Sequence, residues 1–356
     1  MSRSRRTLRI ALVPALAGLA GCAWLGVERV PDPAEARALA DQARAIFGPL
    51  PGVAESPANP ITEAKVELGR MLYYEARLSR SHEISCNSCH MLDRFGVDGE
   101  ATSPGHKGQR GDRNSPSTYN AALHVAQFWD GRAADVEEQS TGPMMNPVEM
   151  AMPGPEQVIQ TLVSIPGYGE AFREAFPDDP RPVNLGNVAL AIGAFERGLL
   201  TPGPLDRFME GDLEALDAAQ QRGLRTFVAT GCTTCHNGTA VGGAMFQKLG
   251  LVHAYETEDV GREKVTGAET DRFVFKVPSL RNVAETGPWF HDGSVKSLDE
   301  AVRLMAWHQL GRELTGAEVR DILAFLGSLT GEIDWGYVAA PELPMGSAAT
   351  PKPDRS

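Results

Sequence analysis

The sequence has little cysteine, a shortage of positive charge and almost no alternating polar and apolar pattern, and each shortage excludes something. Five cysteines in 356 residues do not make the even-numbered disulfide framework of small secreted folds. With 34 Lys and Arg against 46 Asp and Glu the formal charge is −12, which argues against nucleic acid as a partner, because phosphate binding needs basic patches. Period-two runs are nearly absent. Only residues 272–277 suit a short strand, so the expectation is a mainly α fold.

What is present is a pair of short strings, Cys86-Asn87-Ser88-Cys89-His90 and Cys232-Thr233-Thr234-Cys235-His236. C-x-x-C-H is the signature of covalently attached c-type haem: the two thiols add across the haem vinyl groups and the His supplies the proximal nitrogen to iron. One such string alone also reads as half a zinc site or a redox dithiol. Two copies on an exported chain favour two covalently bound haem c groups. They account for four of the five cysteines.

The N-terminus carries the export signal. Arg3, Arg5, Arg6 and Arg9 precede an apolar run, residues 10–20, that falls short of the roughly 20 residues of a spanning helix. It ends in Leu19-Ala20-Gly21-Cys22, which resembles the bacterial lipobox, where the Cys is lipidated and becomes the first mature residue; an ordinary cleaved signal with a stray Cys is the plainer alternative. Ser4-Arg5-Arg6 also looks like a twin-arginine signal, but that route carries folded proteins, whereas c-type haem is joined to an unfolded chain after export. The expected location is the periplasm, lipid-anchored to a membrane through Cys22. Loss of residues 1–21 removes those four Arg and no acid, taking the formal charge from −12 to −16. An acidic surface suits a basic small electron-transfer protein, although solubility alone explains it equally well.

The domain layout rests on composition and helix signals. Residues 1–22 are the signal. Residues 23–60, with Pro31, Pro33, Pro49, Pro51, Pro57 and Pro60, read as a tether with one helix. The first haem domain is placed at 61–200 and the second at 201–335, divided at Thr201-Pro202-Gly203-Pro204, with a flexible tail at 336–356. Helices are expected over 62–74, 155–176, 183–199 and 213–229. Ser297-Leu298-Asp299-Glu300 and Thr315-Gly316-Ala317-Glu318 match the capping box and start two more. Residues 96–117 read as a long ordered loop. No repeat is expected beyond the haem strings.

Four further strings, Gln127-Phe128-Trp129-Asp130-Gly131-Arg132-Ala133, Asn146-Pro147-Val148-Glu149-Met150, Val277-Pro278-Ser279-Leu280-Arg281-Asn282 and Phe290-His291-Asp292-Gly293, strongly resemble the bacterial di-haem cytochrome c peroxidase family, which includes MauG-like enzymes. The resemblance covers residues 62–330. It implies two cytochrome c-like domains, each holding one haem, and reduction of hydrogen peroxide to water with electrons from a small soluble donor, cytochrome c or a cupredoxin. It also implies roles for individual residues. Met305 matches the sixth ligand of the second haem, which a soft thioether holds at raised potential; by periodicity alone Met305 is an ordinary core residue, and His308, one turn on, is a competing ligand. His106 matches a removable ligand of the first haem, whereas His82 and His124 have no such match. Glu149 matches the acid-base carboxylate and Gln139 the distal amide. Trp129 matches the aromatic between the haems. Asn114, Thr286 and Pro288 match positions around an interdomain calcium ion, a hard-cation site of amide and backbone oxygens. Two other functions compete: a MauG-like oxidase acting on a protein substrate, in which the resemblance expects Tyr where Met305 stands, and a di-haem electron-transfer cytochrome, which needs no Gln139 or Glu149. A homodimer is one assembly the chain allows.

Overall fold

The computed structural model describes residues 32–356; the export signal and Cys22 lie outside them. Residues 31–356 form one compact unit, mainly helical, with a single two-stranded sheet among the described residues. No helix among them is long and apolar enough to cross a membrane.

Local chemistry sets most helix ends. Thr62 starts Glu63–Tyr74 by accepting the Lys65 N–H, and Asn184 starts Leu185–Glu196 in the same way through Asn187. Asp217 and Gln220 close a capping box on Ala218–Thr230, and Thr315 and Glu318 close one on Gly316–Gly327, each satisfying amides that a helix leaves bare. Four expectations shift. The helix over 155–176 is two, Pro155–Val163 and Pro166–Ala175, because Pro166 has no N–H to give the preceding turn and instead opens a new one. The helix expected from 213 begins only at Ala218. Leu298–Leu310 does start after Ser297, but that serine makes no side-chain cap bond. The strand expected over 272–277 narrows to Val274–Lys276, antiparallel to Phe246–Lys248.

Two apolar cores fill the unit, one built mainly from residues between Leu68 and Leu199, the other from residues 39–47 and 205–329. Each is organised by a helix crossing so close that only glycine fits. A Cβ on Gly69 would lie 1.9 Å from the carbonyl oxygen of Ala191, and one on Gly223 would lie 1.9 Å from that of Asp321. Phe195 and Phe325, four residues beyond those carbonyls, flank the two contacts at the same distance, 2.9 Å from Cβ to Cβ.

The similarity of the halves runs further than the haem strings, contrary to the expectation of no other repeat. Gln127 bridges to Ala133 and Trp289 to Val295, and within these hairpins Phe128 and Phe290 both take a left-handed conformation, as do Gly131 and Gly293. The Ser117 hydroxyl donates to Phe95 O and the Ser279 hydroxyl to Ala240 O, each at 2.6 Å, and each serine oxygen accepts the amide two residues on. The bridges, serines, phenylalanines and glycines stand 162 positions apart (117 to 279, 128 to 290), and the two acceptors 145 (95 to 240). The repeat was legible as Pro-Ser-x-x-Asn followed by Phe-x-Asp-Gly.

The halves are tied reciprocally. Asn114 N–H donates to His291 O at 2.7 Å, and its counterpart Lys276 N–H donates to Trp129 O at 2.8 Å. Between them the hydroxyl oxygen of Thr201, in the connector, accepts from both Asn120 and Asn282 at 2.9 Å. Residues 336–356, expected as a flexible tail, make specific contacts with the first half: Tyr337 donates to Phe195 O, Ser347 to Ser164 O, and Asp354 pairs with Arg80.

The crossings yield a test. Gly223→Val should lower stability by about 3 kcal/mol through overpacking, whereas Gly327→Ala, in open space, should be neutral or stabilising by less than about 1 kcal/mol. Denaturant midpoints of the two variants measure the contrast.

Candidate haem sites

The first C-x-x-C-H string forms one helical turn, Cys86–Cys89, opened by Ser85, whose amide donates to the Ser88 hydroxyl at 3.0 Å. The turn places the two thiols three residues apart on one side of the helix, and His90 closes it with its N–H on Cys86 O at 3.0 Å. Tyr73 donates to His90 O at 2.8 Å and shares a hydrogen bond with Thr118, fixing the histidine from behind. The second string is held alike. Ala218–Thr230 ends at left-handed Gly231, and His236 N–H donates to Cys232 O at 3.0 Å. Gly242, at φ 128°, lets the chain pass so near that a Cβ would stand 2.2 Å from Pro278 O and 3.2 Å from His236 Nδ1.

The donor set fits covalent haem. All four thiols are free. Nδ1 of His90 and of His236 is buried and faces backbone carbonyls, of Pro116 and Pro278 among others, that partly offset the burial, which still pulls the imidazole pKa of both down, that of His236 to about 4. Neutral imidazole is the metal-binding form, and a backbone contact at Nδ1 leaves Nε2 as the ring nitrogen that would meet iron. Burial also raises the thiol pKa of Cys89 and Cys232 to about 11, which suits cysteines used in thioethers rather than as thiolates. A cavity of 260 Å³ runs between the halves, lined among others by Cys232, Cys235, His236 and Met305 and reaching Trp129 and Ser117. Among the described residues no cluster of three His, Cys, Asp or Glu side chains stands ready to hold a metal ion.

His106 and Glu149, 43 positions apart (106 to 149), meet beside the first string. The His106 N–H donates to Glu149 O at 2.7 Å, and the approach depends on Gly105, whose Cβ would lie 2.0 Å from Val148 O. The His106 side chain is buried, with neither ring nitrogen bonded. Glu149 accepts from Asn146 Nδ2 at 2.8 Å. Burial raises its pKa, against the opposing pull of Arg132 and Asn146, and its charge is felt at the Cys89 thiol. Gln139 is half-buried on the helix Val136–Met145 that leads into this turn.

Met305, half-buried on Leu298–Leu310, lines the cavity with His236. His308 instead turns Nδ1 to the carbonyl of His253 at 2.8 Å. The Trp129 indole donates to Asn114 O at 2.9 Å and meets His291 edge-on at 6.4 Å between centroids. Asn114, Thr286 and Pro288 line the same cavity, and the Asn114 amide donates to the carbonyls of Glu100 and Ala101. Lys276 and His124, to which neither motif nor resemblance gives a role, also face it, with Lys276 Nζ 3.2 Å from His124 Nδ1. The signal for Lys276 was a lone charge within the apolar run Phe273-Val274-Phe275-Lys276-Val277.

Paired C-x-x-C-H turns, each closed by a half-buried histidine, define a two-centre c-type haem protein. Residues 63–214 match the family model for di-haem cytochrome c peroxidase. The chain is 47% identical over 327 residues to the cytochrome c551 peroxidase of Pseudomonas aeruginosa, covering 90% of this chain and 94% of that one. It is 34% identical to the methylamine utilization protein MauG of Methylorubrum extorquens, covering 81% and 83%. A crystal structure of a MauG-like protein associated with microbial copper homeostasis superposes with a TM-score of 0.74 at 29% identity, covering 82% of this chain and 97% of that one. This chain belongs to the di-haem cytochrome c peroxidase family.

Changing Cys232 and Cys235 together to Ala should leave one covalent haem per chain instead of two, read as haem content against protein after denaturation. Two covalent haems in that variant would contradict the assignment of the second string.

Proposed function

We propose that this protein is a peroxidase that reduces hydrogen peroxide to water, taking two electrons from a small soluble donor such as cytochrome c or a cupredoxin. The carrying observation is the backbone bond that seats buried His106 against Glu149 beside Cys86–Cys89. When bound, the haems supply redox-active iron, one centre to meet peroxide and one to receive electrons. The two cores with their haem strings are the two cytochrome c-like domains, divided near residue 201.

The chain's own groups then do acid-base and positioning work. Splitting the O–O bond requires a proton to move from one peroxide oxygen to the other, and the carboxyl of Glu149 carries it. Burial supports that role, because a carboxyl whose pKa is raised holds and returns a proton more readily than a solvated one. The Gln139 amide hydrogen-bonds the peroxide without competing for the proton. His106 would be the removable ligand of the first haem: both ring nitrogens are unbonded, and its loop turns through Lys107 at φ 57° and Gly108. Met305 would bind the iron of the second haem, with His308 committed to the His253 carbonyl. Trp129 lies on the electron path between the halves, its indole oriented by Asn114. Asn114, Thr286 and Pro288 would hold a calcium ion at the interface, where amide and carbonyl oxygens suit a hard cation.

We place the protein in the periplasm, held to a membrane by lipid on Cys22, and a homodimer is compatible with this reading. The MauG likeness supports a second function, oxidation of a protein substrate. Met305, at the position where that resemblance expects Tyr, favours the peroxidase.

Steady-state peroxide reduction with a reduced small cytochrome, before and after partial reduction of the enzyme, separates the alternatives. Turnover is expected, and Glu149→Gln should lower it about 10²–10⁴-fold with both haem spectra unchanged. Absence of turnover in both states would assign the protein to electron relay or to another substrate, and near-normal turnover of the variant would remove Glu149 from the chemistry.

A further inference from the structure

Lys276 is the one place among the described residues where a nearly fully buried ammonium faces the cavity with no carboxylate beside it. Its side chain is 6% exposed, burial alone pulls its pKa down to about 8, and its hydrogen-bond partner is His124 Nδ1 at 3.2 Å. The pair is held from both sides. Lys276 N–H is tied to Trp129 O, and the His124 ring lies against left-handed Gly243, where a Cβ would stand 2.3 Å from it. The adjoining backbone is fixed by Val125 N–H on Gly243 O at 2.9 Å.

The proton inventory shows what the pair can bind. Because the ammonium donates to Nδ1, the imidazole is neutral with its proton on Nε2, and burial beside Lys276 keeps its pKa well below the usual value. That Nε2 is buried and has no partner. Two ammonium hydrogens and one imidazole hydrogen therefore have no protein acceptor, and they carry one uncompensated positive charge. Burying a charge unpaired costs several kcal/mol, so the site calls for an anion with several acceptor positions. A carboxylate offers two oxygens and about four lone-pair sites.

We propose that Lys276 and His124 form the cradle for one propionate carboxylate of a haem seated in this cavity. The proposal rests on the haem reading of the two strings. It makes the pair a positioning and tuning element: the same residue that anchors the Trp129 backbone to the second half also holds the cofactor edge facing Trp129. By the internal repeat, Lys276 occupies the place that Asn114 holds in the first half, so one end of the interface offers an amide and the other a cation.

The test is a spectroelectrochemical titration of the di-haem protein. Removing a positive charge beside a propionate favours ferric iron, so Lys276→Met should lower the midpoint of one haem and leave the other in place, and Lys276→Arg should return it towards wild type. Should Lys276→Met fail to mature, Lys276→Gln is read in the same way. Unchanged midpoints in a variant carrying two haems would overturn the proposal. A wild-type midpoint that responds to added chloride or phosphate, with the response lost in the variant, would give the cradle to a dissolved anion and overturn it equally. Haem content of the same samples reports separately on whether the strings bind haem at all.

Discussion

The structure depends on a reciprocal backbone tie between its halves. Asn114 gives its amide hydrogen to the carbonyl of His291, and Lys276 gives its own to the carbonyl of Trp129. Each half's proline-serine segment is thus clasped by the other half's hairpin, and the cavity with its aromatic and cationic lining lies at the clasp. Without it, Trp129 and Met305, which lie on opposite sides of the Thr201 connector, have no reason to share a cavity. Backbone donors satisfied across an interface are costly to leave unpaired, so the clasp orders both halves together.

On this nearly symmetric frame the two centres become unequal through side chains. Both strings form tight turns closed by half-buried histidines, and the residues gathered around each string differ. The first half adds His106 and Glu149, brought together by a glycine that removes a Cβ from the path, and the second presents a methionine from the helix Leu298–Leu310. An acid of raised pKa serves a site where a proton must move, and a neutral sulfur serves one that exchanges electrons with little rearrangement. The proposed division of labour stems from that contrast.

Much of this was legible in the sequence, and the omissions have physical causes. The apolar stripe marked Glu63–Tyr74 and the capping box Gly316–Gly327 closely, because periodicity and side-chain caps are local signals. Pro166 reads as internal to one helix because its neighbours keep the apolar period. The repeat of hairpins is legible in a few identities, Pro, Ser, Asn, Ala, Phe, Asp and Gly at an offset of 162 positions (117 to 279), and the rest of it resides in backbone conformation. The joining of His106 to Glu149 is a backbone bond and leaves no side-chain signature. Lys276 with His124 joins residues 152 positions apart (124 to 276), which no local pattern encodes. The tail at 336–356 looks free because its proline-rich composition carries no helix signal, yet its hydroxyls and Asp354 find partners on the first half.

Inequality of the two haems is the central claim, and a redox titration monitored by optical and EPR spectra of the protein as isolated tests it most directly. Two well-separated one-electron steps are predicted, the higher belonging to a low-spin centre with histidine-methionine ligation. Two coincident steps, or a high-potential centre without a methionine signature, would contradict the account.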